Sequence, residues 1–161
     1  MATPVNLPAS FTAGNIFTAA QANGLRGAFR ILQVVSATTT TNVASSTSTY
    51  VSTTLSANIT PQSTSSKILV IVNHSVYTYP SATGGGMILR RDSTNLQVFA
   101  DVGYNSGAAN LTTFGTMYLD SPSSTSAISY NTIQNRGIGT GQFFTQINGN
   151  PGTIILMEVS A

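Results

Sequence analysis

The segment between Tyr50 and Thr60 constrains the fold most strongly. Val51, Leu55, Ala57 and Ile59 share one parity and alternate with Ser52, Thr54, Ser56 and Asn58. A repeat of two belongs to a strand with one buried face and one wet face. Pro61 ends the pattern, and 62–66 reads as a turn. Lys67–Tyr77 is apolar on both parities at its start, which predicts a central strand. Further strands are expected at Ile31–Val35, Met87–Arg91, Leu96–Val102, Leu111–Asp120, Ser126–Gln134, Gly141–Ile147 and Thr153–Val159. Turns or loops are expected at 84–86, 92–95, 104–110, 121–124 and 148–152. The Ser/Thr tract of 36–49 reads as further turn chemistry. About eight or nine strands with such punctuation predict an all-β domain over 31–161, an antiparallel β-sandwich or jelly roll.

Residues 1–30 read differently. Pro4 and Pro8 suggest an extended arm, and Thr18 is placed to cap a short helix over 19–23 before Gly24 and Gly27. One short helix cannot bury its own apolar residues. Phe11, Ile16, Phe17, Leu25 and Phe29 therefore need a surface to dock on, either the rest of the chain or a neighbour. This segment is the expected N-terminal helical or extended anchoring arm.

Charge narrows the function. Only 6% of the residues are Asp, Glu, Lys or Arg, against about 25% in an ordinary soluble domain. Ser and Thr fill their place. The six basic residues are scattered at Arg26, Arg30, Lys67, Arg90, Arg91 and Arg136, which is no footprint for nucleic acid. The longest apolar run, Ile68–Val72, is too short to cross a membrane as a helix. There is no cysteine for a disulfide or a thiolate. The first residues lack the basic and apolar segments of a secretory signal, so synthesis in a cytoplasm is expected. A weakly charged surface favours association, so contact with other subunits is expected.

Catalytic chemistry finds little support. The acids are Asp92, Asp101, Asp120 and Glu158, and the one histidine is His74. Asp92 and Asp120 lie at strand ends beside Ser or Thr, where an Asx turn is the simplest reading. Glu158 is expected either to pair with an arginine or to face solvent. No spacing singles out a glycosidase pair. His74 shares a side with Val72 and Val76 and is expected to be hydrogen-bonded and partly buried. Of the adjacent Arg90 and Arg91, at least one points inward if both are not solvated on an edge strand, with Asp92 or Asp101 as partner. No catalytic, cofactor-binding or metal-binding residue is assigned, and no cofactor is expected. Tyr77, Tyr79, Tyr104 and Asn105 fall at strand ends or loops, a composition suited to contact with sugar or protein. Loops 78–86 and 103–110 would carry that contact.

Several segments resemble small virion proteins of tailed bacteriophages. They are Ile31–Val35 with the following Thr/Ser tract, Leu55–Pro61, Ser63–Val70, Ile88–Asn95, Tyr118–Ser126 and Met157–Ala161. Phe11–Asn23 is similar to the amino end of many phage tail or fibre proteins, which attaches to the particle. The resemblance covers most of the chain. It implies a structural role in the virion, in a tail fibre, a baseplate or a head decoration, and it implies no catalytic residues. It also implies a homotrimer anchored by its amino end and partnered by other tail or capsid proteins, and a host surface glycan or protein is the partner expected for loops 78–86 and 103–110. A carbohydrate-binding module acting alone is the other reading of the same residues.

Overall fold

The computed structural model describes residues 31–79, 82–105 and 110–160, with backbone alone at 102–105, and the isolated positions 14, 16, 18 and 19. The anchoring arm of 1–30, its helix beyond Ala19, and Phe11, Phe17, Leu25 and Phe29 lie outside the described residues. Ile16 is described, and it is exposed.

The described residues form ten strands: β1 (Ile31–Thr39), β2 (Val43–Ser45), β3 (Val51–Ile59), β4 (Lys67–Tyr79), β5 (Thr83–Arg91), β6 (Thr94–Asn105), β7 (Asn110–Asp120), β8 (Ile128–Ile138), β9 (Gln142–Thr145) and β10 (Gly152–Val159). A 3-10 turn spans Ile147–Gly149. Two antiparallel sheets face each other, so the domain is an all-β sandwich. The back sheet has the order β3-β8-β5-β6. In the front sheet β4 is the spine. Its one edge carries β7 along almost the whole strand, from Ile68↔Asp120 to Thr78↔Asn110. Its other edge is shared: β10 pairs with Lys67–Asn73 and β9 with Val76–Tyr79. β1 extends the sheet beyond β10, and β2 extends it beyond β9.

The alternation read in the sequence places the core. From β3, Leu55, Ala57 and Ile59 point inward; from β4, Ile68, Val70 and Val72; from β10, Ile154 and Leu156. Leu89, Ile128 and Tyr130 meet them from the back sheet. A second, smaller cluster holds Val76, Met87, Ala100 and Phe143. Val51 departs from the expected pattern. It is exposed, and Thr53 takes the buried position. The pairing of β3 with β8 shifts register between Ser52 and Ser56, where Thr54 has a φ of 65°. Two extra residues there, four steps on β3 against two on β8, bend the strand end away.

Two loop assignments are corrected. The Ser/Thr tract is not wholly turn: β1 runs on to Thr39, and β2 forms within the tract. Gly84, Gly85 and Gly86 are not a hairpin tip but the buried start of β5, paired to β6 and β8. Their glycines answer a close approach. A Cβ on Gly85 would lie 2.3 Å from the Phe143 ring and 2.4 Å from the Asn135 carbonyl oxygen. Gly85→Ala is therefore expected to cost about 2 kcal/mol, the scale of overpacking a rigid core. Chemical denaturation of the variant checks this.

Candidate functional site

The outer faces of the two sheets differ in chemistry. On the back sheet the outward residues of β3 are Ser52, Thr54, Ser56 and Asn58, and those of β8 include Ser129 and Asn131, with one apolar row of Ile133, Ile88 and the exposed Val98. On the front sheet the outward residues are apolar at one end. The register aligns Val34 of β1, Met157 of β10, Leu69 of β4 and Leu119 of β7 in one row. The adjacent row is Ser36, Ile155, Ile71 and Met117. Met117 is 70% exposed, Val34 56% and Leu119 52%. Four strands about 4.8 Å apart make this patch roughly 15 by 20 Å with its side chains.

The other end of the same face is polar and aromatic. Tyr77 and Tyr79 alternate outward from β4 and stack, with ring centroids 6.3 Å apart and planes 7° from parallel. Phe144 of β9 is the cross-strand partner of Tyr77 and tilts against it at 5.8 Å. Between this platform and the apolar patch lies a cleft of about 410 Å³. Asn73 and Ser75 of β4, Leu111, Thr112 and Thr113 of β7, and the Asn150-Pro151 turn line it. Ser75 faces Thr113 in the register, and Tyr77 faces Leu111 one row farther on.

The titratable residues are held elsewhere, each by its own structural bonds. His74 is fully buried between the two apolar clusters. The Gln146 amide donates to its Nδ1 at 2.5 Å, so its Nε2 carries the proton and donates to Thr132 Oγ1 at 2.9 Å. Thr132 in turn meets Thr53 Oγ1 at 2.5 Å. Phe99 stacks on the imidazole at 6.4 Å. Burial pulls the His74 pKa down to about 4. Gln146 occupies the gap where the edge of β4 passes from β10 to β9, and its own N–H donates to the Ser75 carbonyl at 2.9 Å.

Glu158 neither pairs with an arginine nor faces solvent, which corrects both expectations. It is buried on the inner face of β10. Its carboxylate accepts from Gln33 Nε2 at 2.6 Å and from the Gln62 N–H at 2.7 Å. Burial pushes its pKa up, but these bonds outweigh that and hold it below the ordinary value. Arg91 is the inward member of its pair, and its partner is Asp120, not Asp92 or Asp101. Asp120 is therefore no Asx-turn residue. Asp92 does sit at the two-residue turn between β5 and β6, with a φ of 51°. Its Oδ1 accepts from the Ser129 N–H at 3.0 Å, on β8. Among the described residues, no group of three or more His, Asp or Glu could hold a metal ion.

Of the expected contact residues, Tyr77 and Tyr79 lie together on the front face. Tyr104 and Asn105 end β6 in the back sheet, so the expected loops shrink: 78–79 and 83–86 are strand, as are 103–105. Sequence reasoning missed Phe144 and the cleft. The only local signal for Phe144 was its parity within Gln142–Thr145, and its neighbour Tyr77 is set by a long-range register.

No family model matches the sequence, and no curated protein matches it. Among solved structures, the VP2 subviral particle of infectious bursal disease virus is similar at 18% identity with a TM-score of 0.46, over 80% of this chain and 37% of that one. T=1 particles derived from infectious bursal virus give 18% identity and a TM-score of 0.47, over 80% and 36%. The Gx strain of infectious bursal disease virus gives 17% and 0.40, over 80% and 38%. The chain spans little more than a third of the length of these proteins.

Proposed function

We propose that the chain is a structural subunit of a virus particle that packs against copies of itself through the apolar end of its front sheet. The observation that carries this is the patch of Val34, Leu69, Ile71, Met117, Leu119, Ile155 and Met157 on a nearly uncharged chain. A contiguous apolar face of this extent matches the largest patch of a typical soluble monomer, which is often functional. The strand beside the patch supports a like partner. Among the described residues β7 pairs on one side only, with β4. It carries no Lys or Pro, and its one charged residue, Asp120, points inward. Edge strands that must stay single are usually blunted by charge or proline. Ser and Thr elsewhere on the surface lose less side-chain entropy on burial than Lys or Glu would.

The finer reading follows the sequence resemblance: a homotrimer in the tail fibre or baseplate of a tailed phage, anchored through residues 1–30. A head-decoration subunit is the alternative. Imaging labelled protein on intact particles separates tail from shell. For the assembly surface, Met117→Lys is the test. The side chain is mostly in solvent, so the variant should keep the parent's circular dichroism, and its melting temperature should fall only by what association contributes to the parent. In sedimentation the parent chain is expected as a trimer and the variant as a monomer. A monomeric parent chain overturns the reading, and a dimer overturns its threefold form.

A further inference from the structure

We propose that the cleft between β4, β7 and the Asn150-Pro151 turn is a binding site for a neutral oligosaccharide, with Tyr77, Tyr79 and Phe144 as its stacking platform. This site is separate from the apolar patch and does not depend on the assembly.

The chemistry of the lining selects the ligand class. The cleft offers the amides of Asn73 and Asn150 and the hydroxyls of Ser75 and Thr113, and it has no charged side chain. Among the described residues, no protein hydrogen bond occupies these four side chains. Amides and hydroxyls both donate and accept, which matches the hydroxyls of a sugar. An anionic ligand would find no cation to pair with. The cleft volume is within the range of small-ligand sites.

A peptide fits less well. The main-chain groups of β4 and β7 under the cleft are already used in their ladder, through Asn73↔Gly115 and Ser75↔Thr113. A strand could be added only along the outer edge of β7, so on the floor of the cleft side chains are what remains to recognise a ligand. Leu111 and Pro151 supply apolar walls. The next row of the sheet, about 7 Å away, begins the aromatic platform. There Tyr79 is 56% exposed, its ring parallel to that of Tyr77. Flat aromatic faces take the apolar face of a sugar ring, while the phenol hydroxyl remains wet. A ligand that uses both cleft and platform has more than one ring.

The experiment is a printed array of neutral, sialylated and sulfated glycans, followed by calorimetric titration of the soluble hits so that valency plays no part. Neutral oligosaccharides are expected to bind. Tyr79→Ala and Asn73→Ala should each weaken the titrated affinity by roughly tenfold. Both side chains are exposed, so unchanged circular dichroism is expected for both variants. Met117→Lys should titrate like the parent chain even where it abolishes assembly. The proposal is overturned by an array without neutral hits, by hits that are all acidic, or by affinities indifferent to both cleft substitutions.

Discussion

Asp120→Ala is expected to destabilise the sandwich by about 3 kcal/mol, at the lower end of the cost of breaking a buried ion pair. Arg91 Nη1 donates to both Asp120 oxygens, at 3.0 and 2.8 Å, and the Tyr130 hydroxyl donates to Oδ2 at 2.6 Å. Asp120 closes β7 at the rim of the core, and Tyr130 is fully buried. Burial, and then the bond to Asp120, raise the Tyr130 phenol well above its ordinary value. Removing the carboxylate leaves that hydroxyl unpaired inside the core and the guanidinium without its counter-charge. The Arg91 side chain is 26% exposed, so water recovers part of the loss and the lower end of the range applies.

Two further substitutions separate the contributions. Tyr130→Phe removes one hydrogen bond and leaves a satisfied carboxylate, so it should cost about 1 kcal/mol. Asp120→Asn keeps an acceptor for the phenol but loses the charge, so it should fall between the two. Urea denaturation of the three variants reads the order. Equal losses for Asp120→Ala and Tyr130→Phe would show that the ion pair contributes nothing.

The strand parities were legible because they are local. Leu55, Ala57 and Ile59 on β3 and the apolar start of β4 required only a period of two. His74 was placed correctly between Val72 and Val76 for the same reason. What failed was decided by residues far away in the chain. The Gly84–Gly86 run has the composition of a loop, and only the Phe143 ring laid against Gly85 makes it a strand. Arg91 had nearer acids in sequence than Asp120, but the packing of β5, β8 and β7 brings Asp120 to it. Glu158 was expected to meet an arginine or solvent because nothing local announces that Gln33 and the Gln62 N–H converge on it. The aromatic platform was half legible: Tyr77 and Tyr79 share a parity, whereas Phe144 joins them only through the pairing of β9 with β4.

The interior also holds a feature that composition concealed. The core is two apolar clusters joined by a polar belt of Thr53, His74, Thr132 and Gln146, all fully buried. Its members bond one another from Gln146 Nε2 through His74 and Thr132 to Thr53, which makes such a layer tolerable, while Gln146 Oε1 has no protein partner among the described residues. Gly152 belongs to it by what it lacks, since a Cβ there would lie 2.6 Å from the Gln146 amide nitrogen and 3.0 Å from His74 Nδ1. The belt therefore fixes the junction at which β9, the 3-10 turn and β10 succeed one another along β4.

That junction makes the fold sensitive to acid. His74 has a folded pKa of about 4 against 6.5 for the ordinary side chain. Between those values the unfolded chain binds a proton that the folded chain refuses, so stability falls as the pH falls. The full contribution is present above about pH 7, declines below 6.5 and is exhausted near 4. The total is roughly 3 kcal/mol, at about 1.4 kcal/mol per pH unit in the steep part. The bonding explains the sign. A protonated imidazole would turn a second donor toward the Gln146 amide N–H and bury a charge among hydroxyls, an amide and the Phe99 ring. Glu158 acts in the same direction, but its pKa lies below the ordinary 4.5, so its loss starts where that of His74 is nearly complete. His74 is the chain's one histidine, which leaves the window from pH 6.5 to 4.5 to it. Urea denaturation at pH 7.5, 5.5 and 4.5 should show the parent chain losing 2 to 3 kcal/mol, as an order of magnitude of about one lost proton site. His74→Gln retains a polar group in the belt and should be flat across the window, whatever its absolute stability. A parent chain of constant stability, or a variant with the same slope, would falsify the assignment.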